Sequence, residues 1–424
     1  MPKQFHNRQF PVRPNLDQLR NQAKDLLRSV RSSDADALEE FRKHHPQPAN
    51  PQSVRLADAQ LALARSYGLP SWPRLVTACR MTDALWRGDV EAVRALVLKN
   101  PALLHEAARG IPDNWGPPMS YAANVGQDAI IQMLRELGAT DVQHAFERAC
   151  LQGKIETARQ LHKMGALPTR RGLMWTCETL NAEGMAFLLE LGADVADESG
   201  DGLAPIALLL QTYCRNPQGK HACLDIVEAR GTKLPDTPTM AMHRGRIDLM
   251  EDHLHRDSNL TRRTFSHEEI YPPELGCHAD HSLALHGTPL AGTTLLHMCV
   301  DFDEVEMARW LIEHGADVNA RADVDSDGFG GHTPLFACVV SQAYLCGRQR
   351  DAALACLLLD RGADANARAS IRKQLRFVPD ESVHKYRDVT PLGWGQQFHG
   401  PGTPGHTWVS KEAMHLIAER GGNS

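Results

Sequence analysis

The chain has 424 residues, a formal net charge of −6, 42% hydrophobic and 23% charged residues. That balance supplies a buried core and excludes a disordered chain. The mild acidity excludes a general nucleic-acid grip, which needs a basic face. No apolar run approaches the ~18 residues of a membrane span. The opening residues, MPKQFHNRQFPVRPNLDQ, hold no apolar signal core, so a cytoplasmic location is expected. The ten cysteines lie singly between Cys79 and Cys356 without a CxxC pair, which predicts reduced, buried thiols.

The first predicted element is a helix over Leu16–Arg31, with apolar residues at Leu16, Leu19, Ala23, Leu26 and Leu27. A short helix over Asp34–Phe41, a polar segment over His44–Ser53 and a helix within Leu56–Leu75 follow. Arg13, Arg20, Lys24 and Arg28 are expected on a solvated face.

From Cys79 onward the chain repeats itself. A phrase closing on Gly-Ala recurs at Gly138-Ala139, Gly165-Ala166, Gly192-Ala193-Asp194, Gly315-Ala316-Asp317-Val318-Asn319 and Gly362-Ala363-Asp364-Ala365-Asn366. An opening phrase precedes some of these: Thr294-Leu295-Leu296-His297, Thr333-Pro334-Leu335 and Thr390-Pro391-Leu392. Thr294 to Gly315, Pro117 to Gly138, His144 to Gly165 and Arg171 to Gly192 all span 21 residues. Cys79–Asn100 and Asp236–Asp257 fit the same interval, while Ala204–Gly231, Thr333–Gly362 and Thr390–Gly421 lengthen it. Thr is a good N-cap, Pro fits the first helical turn, and the closing Gly suits a left-handed C-cap.

These phrases in fixed register resemble the ankyrin repeat, with its Thr-Pro-Leu-His start, paired antiparallel helices and Gly-Ala-Asp end. The resemblance implies an all-α, ankyrin-repeat α-solenoid of about nine helix pairs from about residue 79 to 422. Residues 1–78 form a helical cap of a kind that precedes ankyrin arrays in bacterial proteins. Residues 79–257 hold six units with mostly short fingers, and residues 258–424 three units with long finger insertions forming a lobe. In this pattern His297 is a structural residue that bonds backbone between units.

The intervals between units carry the departures. Gly138 to His144 and Gly165 to Arg171 are 6 residues, too short for a hairpin finger. Asp257 to Thr294 is 37, Gly315 to Thr333 is 18 and Gly362 to Thr390 is 28. Adjacent units project their fingers from one edge, so these three insertions are expected to meet.

The insertions also hold the candidate site. The first carries Glu268, Tyr271, His278, Asp280, His281 and His286, and its Cys277-His278-x-Asp280-His281 run mixes soft and hard donors. A divalent metal such as zinc on His278, Asp280 and His281 is the alternative to loop histidines bonded to backbone. The second opens Asp323-Val324-Asp325-Ser326-Asp327-Gly328 like a calcium loop, but its twelfth position is Pro334 where a bidentate Glu is needed. His332 closes it. The third carries Arg372, Lys373, Arg376, Asp380, Glu381, His384, Tyr386 and Arg387, followed by Trp394, a mixture that suits either a binding hot spot or salt bridges holding the insertion down. No nucleotide-binding or nucleophile-elbow motif is present.

The resemblance implies a binding module that takes a protein or peptide partner on its concave face and fingers, without nucleic acid, membrane or cofactor. The alternative is an enzyme or small-ligand receptor with a His and carboxylate pocket among the C-terminal insertions. A deep pocket where His278, His281, His332 and His384 converge separates the two.

Overall fold

The computed structural model describes residues 8, 10–45, 50–195, 205–341, 351–378, 380–399 and 408–424. The chain forms two compact units, Met1–Pro168 and Thr169–Ser424. No helix among the described residues is long and apolar enough to cross a membrane.

The first unit opens with α1 (Leu16–Arg31), α2 (Ala35–His44) and α3 (Leu56–Ser66). The Asn15 side chain caps α1 by accepting from the amides of Asp17 and Gln18. Leu19 and Ala23 of α1 and Leu63 of α3 pack with Leu69 and Leu75, and Phe10 inserts among them. The extended stretch after Phe10 is held by its backbone: Arg109 Nε donates to Pro11 O at 3.2 Å and the Tyr121 hydroxyl to Val12 O at 2.9 Å.

Three helix pairs follow: α4 (Trp72–Arg87) with α5 (Val90–Lys99), α6 (Pro118–Val125) with α7 (Asp128–Glu136), and α8 (Val142–Leu151) with α9 (Ile155–Lys163). The turns between partners use Gly88, Gly126 and Gly153 at positive φ. Within this unit α4, α6 and α8 pack in succession. Residues 138–144 carry no strand, as the short interval requires.

The second unit continues the plan with α10 (Arg170–Glu178) and α11 (Ala182–Glu190), α12 (Pro205–Gln211) and α13 (Pro217–Ala229), and α14 (Pro238–His243) and α15 (Ile247–Arg256). After the short α16 (His267–Ile270) come α17 (Leu295–Phe302) with α18 (Val305–Glu313), α19 (Pro334–Val339) with α20 (Ala353–Asp360), and α21 (Pro391–Gln397) with α22 (Lys411–Glu419). The described residues thus hold nine helix pairs at the positions set by the spacing. Ala204, the expected start of the fifth, and the lengthened turns of the eighth and ninth, at 342–350 and 400–407, lie outside the described residues.

The Asn of the closing phrase ties neighbouring pairs together. Asn319 Nδ2 donates to Gly362 O at 2.9 Å and its Oδ1 accepts from the Asp364 amide at 2.7 Å. Asn366 repeats this with Gly421 O and the Asn423 amide. A side-chain amide supplies one donor and one acceptor, so each Asn satisfies two backbone groups left over at a helix end.

The three long insertions form one hydrogen-bonded row. In the first, β1 (Thr264–Phe265) pairs antiparallel with β2 (Thr293–Thr294). Gly292 O then accepts from the Asp323 amide of the second insertion at 2.8 Å. Gly330 of the second exchanges both backbone bonds with Ser370 of the third. Ser370 lies in β3 (Ala369–Gln374), which pairs antiparallel with β4 (Val383–Val389).

Gly330 is the narrow point of the row. Its φ is +128°, and a Cβ there would lie 1.9 Å from the carbonyl oxygen of Asp323. Gly330→Ala is expected to cost about 2–4 kcal/mol, because it adds both a clash and a forbidden backbone conformation. Thermal unfolding checks the loss. Amide exchange should rise at residues 322–332 and 369–374 while α6–α9 keep their protection.

Candidate functional site

The insertions rest on a buried polar network. Arg215, in the turn between α12 and α13, and Asp301, near the end of α17, are 1% and 0% exposed. Arg215 Nη2 meets Asp301 Oδ2 at 2.6 Å, and its other donors reach Asp301 O, Thr212 O, Cys214 O and Leu285 O. Five N–H groups therefore have five acceptors, the condition for burying a guanidinium. The Gly287 amide donates to Asp301 Oδ1, so the pair fixes the first insertion from both sides.

A second buried group lies alongside. Lys220 and His221 of α13 converge on Glu304 Oε1 at 3.0 and 2.9 Å. Burial pushes the Glu304 carboxyl up, but Lys220 and His221 outweigh it and hold the group below its ordinary value. The Phe302 ring separates the two ion pairs, with Arg215 at 4.6 Å and Lys220 at 4.3 Å from its centroid.

The third insertion plugs into the same network. Lys373 points inward from β3, and its ammonium donates to His286 Nδ1 at 3.2 Å. Burial lowers its pKa to about 7, opposed by Asp301 and reinforced by Arg215.

Four of the buried histidines are donors to backbone. His243 bonds Ile270 O at 3.0 Å, His267 bonds His278 O at 2.8 Å, His297 bonds His332 O at 3.0 Å, and His332 bonds Pro289 O at 2.9 Å, each through Nε2. Burial drives His297 down to about 3 and His332 to about 4, so both rings are neutral at physiological pH. His297 has the inter-unit role that its position in the repeat implies.

The sequence-predicted site residues divide accordingly. Tyr271, His286, His332, Tyr386 and Trp394 are buried. Tyr271 packs against His243 and His267. Trp394 donates to Thr288 Oγ1 at 3.2 Å and meets Tyr386 edge to face. These five hold the insertions down, the Tyr and Trp rings by core packing and His286 and His332 by their buried hydrogen bonds.

The others lie nearer the surface but do not gather. Glu268 is exposed on α16. His278 is half-buried and exchanges backbone bonds with the Gln211 side chain. Asp280 caps the Ser282 amide, and the His281 ring stacks on His267 at 4.2 Å. Arg372 pairs with Asp325 and Asp327, Arg376 with Glu381, and His384 with Asp380. His278, Asp280 and His281 therefore face different partners. Among the described residues no three His, Cys, Asp or Glu side chains converge as metal ligands. The carboxylates of the calcium-like loop are likewise engaged: Asp325 and Asp327 by Arg372, and Asp323 by the Thr264 hydroxyl.

Sequence reasoning missed Arg215, Lys220, Asp301 and Glu304, and it noted Lys373 in the third finger without foreseeing its burial. One signal was readable: Asp301 interrupts the apolar run Leu295–Phe302, where an unpaired charge would be prohibitive. Its partner lies 86 positions away, which local spacing does not reveal.

Residues 291–323, which span β2, α17, α18 and the start of the second finger, match the ankyrin repeat family model. The chain carries an ankyrin repeat. Each unit stacks its helix pairs in the same ankyrin-like way. The crystal structure of the human ASB11 ankyrin repeat domain is similar over 72% of this chain and 99% of its own, at 18% identity and a TM-score of 0.25. No curated protein matches the chain.

Two measurements test the network. Asp301→Asn leaves Arg215 buried without its counter-ion and is expected to cost about 3–5 kcal/mol in denaturant unfolding. Replacing Arg215 by Met and Asp301 by Leu together should recover most of that loss. The histidines set an acid limit. Their folded pKa values lie below the ordinary 6.5, so the unfolded chain binds more protons between pH 6.5 and 4. Stability is therefore full above pH 6.5 and falls as the pH drops. At pH 5 His297 and His332 should each cost about 2 kcal/mol. Urea unfolding at pH 7 and pH 5 measures this, and a variant with both replaced by Gln should show a shallower slope.

Proposed function

We propose that the chain is an ankyrin-repeat binding module whose working surface is the finger row of its last three helix pairs, with a protein segment as partner. The observation that carries the reading is what the third finger displays. Phe377 is 76% and Val383 51% exposed, and Lys385 and Arg387 are exposed on the same hairpin. Neither cation makes an ion pair with a carboxylate among the described residues.

The tip that presents Phe377 is built rather than loose. Phe377 has φ +60°, and its amide donates to Glu381 Oε1 at 2.7 Å. Gln374 Nε2 closes the turn on Glu381 O at 2.7 Å. A large apolar side chain held outward on strained backbone costs the free protein stability, and a complementary pocket on a partner recovers it. The buried His243, His267, His297 and His332, by contrast, each spend an Nε2 donor on a backbone carbonyl, and Asp301 and Glu304 are held by buried cations. That distribution favours recognition by the fingers over acid–base chemistry beneath them.

Selection from a displayed random-peptide library on the immobilised full chain tests the reading. Clones retained by the native protein should be lost on a variant carrying Phe377→Ser, Lys385→Glu and Arg387→Glu. They should be kept on Leu98→Ser, which alters an exposed apolar residue in the other unit. Equal retention on both variants, or no enrichment, overturns the proposal.

A further inference from the structure

The finger row is a continuous backbone ladder. Hydrogen bonds pass from β1 and β2 through Gly292 to Asp323, through Gly330 to Ser370, and through β3 to β4. β4 is the last strand of that row.

The alternation of an antiparallel ladder shows which groups β4 leaves free. Ser370 spends its amide and carbonyl on Gly330, away from β4. The next residues alternate, so Ile371 and Lys373 turn their backbone groups toward their β4 partners, Tyr386 and His384. Val383 and Lys385 then turn theirs outward. Neither makes a backbone bond outside its own strand pair among the described residues.

The side chains on this strand are sorted as well. His384 and Tyr386 face inward, where Tyr386 packs on Trp394 and His384 on His399. Val383, Lys385 and Arg387 are exposed. Lys385 and Arg387 lie with Arg372 over the buried Phe329 ring, Arg387 at 3.8 Å from its centroid. Arg372 pairs with Asp325 and Asp327, and Arg387 Nη1 donates to the Asp327 carbonyl at 3.1 Å, while neither Lys385 nor Arg387 forms an ion pair with a carboxylate among the described residues.

We infer that the outer edge of β4 receives an extended acidic segment of a partner protein as an added strand. This deepens the binding-module reading and rests on it. Backbone pairing with Val383 and Lys385 supplies affinity without sequence preference, and carboxylates opposite Lys385 and Arg387 supply the choice of partner. The same cations oppose pairing with a second copy, because two β4 edges would set Lys385 and Arg387 against their own kind. One device therefore blocks self-association and selects an acidic strand.

The experiment uses the full chain and three synthetic probes with blocked termini. One alternates Glu with Val, one alternates Lys with Val, and one is the Glu–Val peptide with N-methyl groups along its pairing edge. The Glu–Val peptide should bind saturably at low salt, and both others should bind about tenfold more weakly or worse. Hydrogen exchange should find the Val383 and Lys385 amides unprotected in the free chain and protected in the complex. Val383→Pro removes an outward donor at the first residue of the strand, where proline is tolerated, and should weaken the Glu–Val peptide comparably. The N-methyl probe keeps the test decisive if that variant misfolds.

Equal binding of the N-methylated peptide would reject strand addition in favour of charge alone, leaving the finger-dependent library result standing. Protection of both amides in the free chain would show the edge already covered, and failure of the Glu–Val peptide to bind would reject the acidic occupant. Loss of the finger-dependent clones is the separate result that rejects the binding module itself.

Discussion

The C-terminal unit depends on burying the charge of Arg215 against Asp301. A guanidinium with almost no exposure is tolerable only when its donors are all spent, and here they are spent on a carboxylate and four carbonyls. Those acceptors come from a helix-pair turn, from α17 and from the first insertion at Leu285. The pair therefore does more than link two residues. It fixes where an insertion of this length returns to the helix stack, which hydrophobic burial alone specifies poorly. Lys373 extends the same logic to the third insertion, since its amine is buried only because His286 accepts from it near Asp301.

Histidine serves this architecture because a neutral imidazole offers one N–H donor on a rigid ring. A buried carbonyl at the end of an irregular loop needs a donor, and a charged donor would carry a large desolvation cost. His243, His267, His297 and His332 each fill that need. The residue type that suits metal ligation or proton transfer is here chosen for an uncharged hydrogen bond. The two uses leave different traces. Ligands converge on one point, whereas these rings point to four separate carbonyls.

Much of the fold was legible because ankyrin-like pairs are specified locally. Cap, first turn, apolar face and closing residue fall within one 21-residue interval in six of the nine pairs, and the opening and closing phrases locate the three lengthened ones. The interval between pairs also gave the absence of a hairpin at 138–144, since six residues cannot form one. The candidate site was less legible, for a physical reason. Exposure decides whether Arg, Tyr, Trp or His acts as a hot spot or as core, and exposure depends on contacts distant in sequence. Tyr386 and Arg387 are neighbours, yet the strand turns one into the core and the other to solvent. Pairing register sets that choice, and the register follows from Ser370 meeting Gly330, which composition does not announce.

The finger row and the buried network also explain each other. A two-stranded hairpin is marginal on its own, and β3 with β4 would have little reason to hold one shape. Gly330 adds a third backbone partner on one side, Lys373 and Tyr386 anchor the inner face, and Arg372 binds the second finger's carboxylates. Rigidity is thus imported from the core toward the last strand. A pre-ordered edge loses little conformational entropy when a partner adds to it, which a free hairpin would lose in full. The cost of burying Arg215 and Lys373 is then matched by the order it imposes at the far end of the row, where β4 keeps backbone groups outward and Lys385 and Arg387 have no carboxylate ion pair among the described residues.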